Sequence, residues 1–293
     1  MAILDPLAAD DATSLPYDFV RNLLEELRKG EVQLPSFPDI ALRVQKVLED
    51  ERSSAAQIAK VVGADAALAA QILRIANSSV FNPTGNPVTT LQAAVGRLGN
   101  EMVRCAATSF ALRQLKFATT AGDLRGVLQE MWRKGALVAA LGYVIARETR
   151  VVRPDEALVT GLLHNVGRLY LLVRAQPKAA LLASSGKWDQ IVVDWHPRIG
   201  RGILEHWRFH PDIIAAVADQ NAWDRLSATR EPLTDVLIAA TSLVPCVYDR
   251  ELLDDTVKTV AAFGRLCLTT EACRHLLIST AAEIKALGEA LTA

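Results

Sequence analysis

The residues best equipped for chemistry in this chain are its imidazoles, and one of them has a marked setting. His164 lies in the run Gly161-Leu162-Leu163-His164-Asn165-Val166-Gly167. A His followed at once by an acid can hold a divalent metal when a His from a second helix and a distant Asp join it. The metal then activates water against a phosphoester. Such a centre needs several ligands, because one imidazole cannot hold a hard divalent ion. Here the second member of the pair is Asn165, a neutral amide and a weak ligand. On spacing alone, His164 reads as a hydrogen-bonded histidine of a helical core. His196, in the run His196-Pro197-Arg198-Ile199-Gly200, is a further candidate. The four cysteines (Cys105, Cys246, Cys267, Cys273) have no CxxC spacing and no His at zinc-site spacing. They read as free thiols packed like small hydrophobes.

A second signal is AAQIAKVVGADAALAAQILRIANSS, residues 55–79. It has the outline of a helix-turn-helix: Ala59 is small enough for a close approach, Gly63 sits in the turn, and Ile58, Val62 and Ile72 are apolar. We expect Gly63 to supply the positive φ that such a turn uses. A recognition helix should present Arg, Asn, Gln or Ser near its N-terminus to reach base edges. This one opens Asp65-Ala66-Ala67-Leu68-Ala69-Ala70, and its polar groups Gln71, Arg74, Asn77 and Ser78 come late. Two packed helices of a bundle fit better than a DNA reader. Asn77 and Ser78 can cap the helix end and fix the following loop, residues 82–86.

The elements that must position these groups read as a string of capped helices. Phe19, Val20, Leu23, Leu24 and Leu27 form a helical stripe from Tyr17 to Lys29, with Gly30 as its C-terminal glycine. Pro38 opens a second helix carrying Ile40, Val44, Val47 and Leu48. Ser54 and Gln57 make a capping box for the third, and Asp65 caps the fourth. Thr90 begins a helix that ends at Leu98-Gly99, and Asn100 begins another to about Lys116. A soft stretch, Phe117–Gly122, marks a subdomain boundary. Asp123 starts a long helix through Trp132 to Arg147, and Pro154 opens one leading into GLLHNVGRLYLL. Shorter helices follow near Trp188, at Pro197–Trp207 and at Pro211–Asp219, with longer ones near Leu233–Tyr248 and Thr270–Leu291. The division is then a flexible leader over 1–15, an N-terminal helical subdomain over 16–120 and a second one over 121–293.

Composition agrees with an all-α multi-helix bundle. Of 293 residues, 51% are hydrophobic but only 5% are aromatic, so Ala and Leu dominate and helices are favoured over strands. Lys+Arg 32 against Asp+Glu 33 leave a formal charge of -1, which gives no basic footprint for nucleic acid and disfavours DNA as a partner. No apolar run reaches the ~18–20 residues of a membrane helix. The first residues carry Asp5, Asp10 and Asp11 rather than the basic start of a signal peptide. We expect a cytoplasmic chain with no membrane contact.

The ordered set of segments resembles the HDOD domain family, bacterial relatives of HD-type phosphohydrolases that generally lack the catalytic ligands. Its carriers are LPSFPDIALRVQKVLED, QILRIANSSVFN, TTLQAAVGRLG, MWRKGALVAA and GLLHNVGRLYLL, spread over about 34–240. The resemblance implies an N-terminal helical subdomain packed on a degenerate HD-like one. It also implies how the ligand set has decayed. Lys134 stands where the first His would be, His164 keeps the second position, and Asn165 replaces the acid. His196 resembles a further His of the HD-GYP phosphodiesterases, whose His-His pair reads Gln220-Asn221 here. The last Asp reads Thr241, and the GYP signature is absent. What is implied is a non-catalytic signal-transduction module with no cofactor, acting through protein partners. A small anionic ligand or nucleotide could sit where the metal once did, among Lys134, His164 and Asn165. The alternatives are a metal-dependent phosphohydrolase and a helix-turn-helix regulator using residues 55–79.

Overall fold

The computed structural model describes residues 15–29, 39–50, 52–117, 125–175, 185–224 and 231–292, which are helical with short turns and no strand among them. The helices are α1 (Leu15–Lys29), α2 (Asp39–Glu49), α3 (Ala55–Val62), α4 (Ala66–Ala76) and α5 (Leu91–Phe117). Then come α6 (Arg125–Thr149), α7 (Pro154–Leu163), α8 (Val166–Ala175), α9 (Ser185–His206) and α10 (Pro211–Ala218). The chain ends with α11 (Pro232–Tyr248), a 3-10 turn (Arg250–Leu252), α12 (Leu253–Thr259), α13 (Ala261–Arg265), α14 (Thr270–Ser279) and α15 (Ala281–Thr292). Of the expected leader over 1–15, Leu15 already belongs to α1, and residues 1–14 lie outside the described residues, as do Gly30, Pro38 and most of the stretch at Phe117–Gly122.

Local signals set the starts and stops as expected. Ser54 accepts from the Gln57 N–H while Gln57 Oε1 accepts from the Ser54 N–H at 2.8 Å, a reciprocal capping box. Asp65 Oδ1 accepts from the Ala67 and Leu68 N–H groups, both at 2.9 Å. Within α5, Gly99 at φ 73 breaks the helix into two arms. A side chain with a Cβ would be strained there. Gly63 departs from expectation. Its φ is -68, in the right-handed region. It is small for a different reason: a Cβ would come within 3.1 Å of the Ala59 carbonyl and 3.2 Å of Leu91 Cδ1. The turn needs room, not handedness.

Packing builds two helical layers on shared partners. Helices α2, α3 and α4 gather against α5, and α6 and α7 pair closely, with α8, α9, α10 and α11 around them. The α6–α7 pair relies on small residues. A Cβ on Gly161 would sit 2.5 Å from Ala139 Cα, and one on Gly142 would sit 3.2 Å from the Ala157 carbonyl. The high alanine content thus serves backbone-close helix packing. The division at residue 120 is crossed at several places, among them the contact of α5 with α7. α1 docks on the second half, through Phe19 against Trp188 (ring centres 6.0 Å apart) and Glu26 against Arg174 at 2.7 Å. α15 returns to lie on α6 and α4. The reason is burial: the apolar face of α1 finds its cover on α9, and the buried side chains of both halves form one continuous cluster.

Two helices run differently from the sequence reading. GLLHNVGRLYLL is not one helix, because the chain turns at His164-Asn165 between α7 and α8. Conversely, the separate helices expected near Trp188 and at Pro197–Trp207 are one helix, α9, which runs through Pro197.

Candidate functional site

The site grows from the turn between α7 and α8. Gly161 lets α7 press on α6, and Gly167 lets the start of α8 press on α9. A Cβ on Gly167 would collide with the His196 carbonyl oxygen and lie 2.6 Å from the Gly200 nitrogen. The two glycines that frame GLLHNVG are therefore packing residues, and they bring His164 and His196 into one buried centre.

Both imidazoles are buried there. His164 Nδ1 lies 2.5 Å from the Gly161 carbonyl oxygen. That oxygen can only accept, so Nδ1 donates and the neutral ring leaves Nε2 bare. Burial pushes the His164 pKa down to about 4, helped by the Arg168 cation, against the opposing effect of the Gly161 hydrogen bond. His196 is pushed down to about 3, by burial first, then by His164 and Arg168. Nδ1 of His196 is buried without a hydrogen-bond partner among the described residues. The centre is thus a pair of neutral imidazoles beside a guanidinium.

The amides at the neighbouring positions are spent on backbone. Gln220 Nε2 donates to the His164 carbonyl at 3.0 Å and to the Val217 carbonyl at 2.8 Å. Asn221 Nδ2 donates to the Val193 carbonyl at 2.9 Å. Val193 is four residues before Pro197, whose missing N–H would have been that carbonyl's helical donor. Asn221 replaces it, which explains how α9 runs on through a proline. Thr241 Oγ1 donates to the Leu237 carbonyl of its own helix at 2.9 Å. No group of three or more His, Cys, Asp or Glu converges among the described residues.

A hard divalent metal of the kind an HD centre holds does not fit this donor set. The two imidazoles have no carboxylate with them among the described residues, and the Arg168 cation acts on both. Lys134 does not complete the centre. It is 55% exposed on α6 and pairs with Glu130 at 3.7 Å. The cation acting on the buried pair is Arg168, one helical turn past His164. Only the i,i+4 spacing from His164 pointed to it.

The residues of the helix-turn-helix reading serve structure. Gln71 is buried, within 3.5 Å of Ser109 Oγ. Asn77 Nδ2 donates to the Leu73 and Val88 carbonyls at 3.0 and 2.8 Å, while its Oδ1 accepts from the Val88 N–H at 2.7 Å. Ser78 Oγ donates to the Ile75 carbonyl at 2.7 Å. Both hold the end of α4 against the loop that follows, as expected. Arg74 remains exposed on a face otherwise made of Ala66, Ala67 and Ala70. That face has one cation and no base-reading amide free.

A cleft opens elsewhere, between α2, α5, α7 and the α9–α10 turn. It takes in His206-Trp207-Arg208-Phe209-His210, whose alternation of basic and aromatic residues is visible in the sequence.

Comparison with solved structures finds the same fold. A protein of Shewanella amazonensis SB2B, provisionally named a metal-dependent phosphohydrolase, is 23% identical with a TM-score of 0.71. The match covers 89% of this chain and 99% of that one. An HDOD domain protein of unknown function from Geobacter sulfurreducens is 22% identical with a TM-score of 0.69, covering 93% and 99%. A protein of Marinobacter aquaeolei VT8, provisionally named for signal transduction, is 19% identical with a TM-score of 0.62, covering 97% and 68%. Among curated proteins nothing matches. The HDOD domain profile matches residues 34–223, and the chain belongs to the HDOD domain family.

Proposed function

We propose that this chain is a non-catalytic regulatory module of bacterial signal transduction that works by binding protein partners. One observation carries the reading: the side chains at the former ligand positions have structural work. Gln220, Asn221 and Thr241 each donate to a backbone carbonyl, and His164 donates to Gly161. None of those positions carries a carboxylate, the donor that a hard divalent metal takes. The provisional name of the Marinobacter protein favours a signalling role. Free thiols at all four cysteines favour a reducing cytoplasm.

The provisional name of the Shewanella protein keeps a phosphohydrolase as the competing reading, and one assay separates the two. Purified chain is loaded with Mn²⁺ or Fe²⁺, desalted, and assayed on bis-(p-nitrophenyl) phosphate and cyclic dinucleotides. The expected result is no retained metal and no turnover above buffer. Turnover that disappears in His164→Ala would overturn the proposal.

A further inference from the structure

The cleft between α2, α5, α7 and the α9–α10 turn encloses about 990 Å³, within the range of sites that hold a ligand. It is remote in chemistry from the buried imidazoles. Its floor is apolar, made by Val159, Trp207, Ile213 and Leu233, all buried. Its walls carry cations and carboxylates in nearly equal numbers. Part of that charge is internally matched: Arg104 with Glu101 at 3.4 Å and Arg153 with Glu156 at 3.9 Å, while Asp212 has His210 Nδ1 at 3.6 Å. Four charges are not. Asp39, Lys46, Glu49 and Arg208 line the cleft and make no ion pair among the described residues.

The α2 wall has a pattern of its own. Ile40, Ala41, Val44 and Leu48 are buried, so the helix has already covered one apolar face. Asp39, Leu42, Lys46 and Glu49 form a second stripe at helical spacing, facing the cleft. Leu42 on this stripe is 45% exposed, an apolar side chain set between unpaired charges of both signs. Across the cleft, Arg208 is held at φ 57. Its N–H donates to the Glu205 carbonyl and the Phe209 N–H donates to the Leu204 carbonyl, both at 3.0 Å. These bonds close the end of α9 in a left-handed cap that glycine would occupy with less strain. The cap fixes Arg208 at the rim, with Trp207 and Phe209 beside it, their rings 6.5 Å apart. Residues held in advance lose less freedom when a ligand arrives.

We infer that this cleft docks a short peptide segment of a partner protein, with an aliphatic or aromatic anchor flanked by charges of both signs. The anchor enters the apolar floor beside Leu42. Basic side chains of the segment meet Asp39 and Glu49, and acidic ones meet Lys46 and Arg208. The balance of charge argues against a polyanion, which would meet as many carboxylates as cations. The apolar floor argues against a bare ion. The inference rests on the reading of the chain as a binding module and adds where the partner sits.

The test uses the full chain, immobilised, to select from a displayed library of random twelve-residue peptides. An enriched peptide is then synthesised with a fluorophore and its affinity measured by anisotropy. The inference expects enriched peptides to share an apolar anchor with an acid and a base nearby. Leu42→Asp and Arg208→Gly should each weaken binding at least tenfold with no drop in melting temperature. Ile278→Ser, on α14 and outside the cleft, should leave affinity unchanged. Lys46→Glu, carried through a second selection, should favour peptides with added basic residues. Failure to enrich any peptide over the bare support would overturn the inference, as would affinity unchanged in Leu42→Asp and Arg208→Gly. Equally damaging would be a cleft that binds pyrophosphate or ATP and no peptide. Should peptides fail while the phosphodiesterase assay stays silent, this inference falls and the module reading stands. His164-dependent turnover would instead remove the module reading, whatever the peptide result.

Discussion

Helix α9 serves two regions of opposite character. Near its middle, His196 faces His164 in a buried, neutral centre. About 15 Å further along, by ten residues of helical rise, the helix ends at His206 on the rim of the cleft. In the first region burial has removed charge, and the polar groups are largely committed to backbone carbonyls. In the second, charges of both signs stay in water and four of them lack an ion-pair partner among the described residues. The contrast is instructive because the resemblance drew attention to the first region. A buried centre with no carboxylate holds helices together, whereas an open cleft with unmatched charges can still meet something else.

The sharpest way to break the closed centre is through its packing glycine. Gly167→Ala puts a Cβ into the backbone of α9, where the obstacle is a carbonyl and an amide rather than a flexible side chain. We expect a loss of about 3 kcal/mol or more, measured by urea unfolding. Gly96→Ala, where a Cβ meets nothing within 4 Å, should instead stabilise by ~0.5–1 kcal/mol. Equal effects of the two would mean that α8 and α9 do not pack as described.

Acid should open the same centre. The unfolded chain protonates its imidazoles near their ordinary pKa of ~6.5. In the folded chain His164 and His196 wait until about 4 and about 3. Below ~6.5 the unfolded state therefore binds more protons, at up to ~1.4 kcal/mol per pH unit for each histidine. The stability they contribute is fully present above that pH and is lost as pH falls toward 4. Urea unfolding between pH 7.5 and 4.5 should show this slope, and His164→Gln with His196→Leu should flatten it. An unchanged slope would mean that the pair is solvated.

A smaller effect tests the proline bridge. Asn221→Ala should cost ~0.5–1.5 kcal/mol, the net worth of its hydrogen bond to the Val193 carbonyl. In a Pro197→Ala background the helix regains its own donor, so the same change should cost far less. Additive behaviour in that double-mutant cycle would sink the assignment. The smallest effect lies at the open cleft. Arg208→Gly should raise stability by ~0.5–1 kcal/mol, through relief of the left-handed backbone, in the variant expected to lose binding. Stability gained without function lost would place Arg208 outside any site.

What could be read without coordinates was the local order. Helical periodicity, the Ser54–Gln57 box, the Asp65 cap and the break at Gly99 depend on residues three or four apart, where side chain and backbone already meet in the unfolded neighbourhood. Asn77 was legible as a loop anchor for the same reason. That an amide, Asn165, stands beside His164 was legible too, whatever the fold does. Errors arose where distance entered. Gly63 was assigned a turn conformation when its constraint is Leu91 across the turn. Pro197 was read as a helix start because its missing donor is supplied from 28 residues away, counting Val193 to Asn221.

The sequence by itself determined the helices, their caps and the family, since these follow from short-range hydrogen bonding and from the order of motifs. Tertiary structure alone decided which groups are available. His164 is tied to Gln220 56 positions later, Arg168 supplies the cation expected from Lys134, and the cleft joins α2 to a turn some 160 residues further on. Availability depends on burial and on partners, and both are set by helices that meet only once the chain has folded.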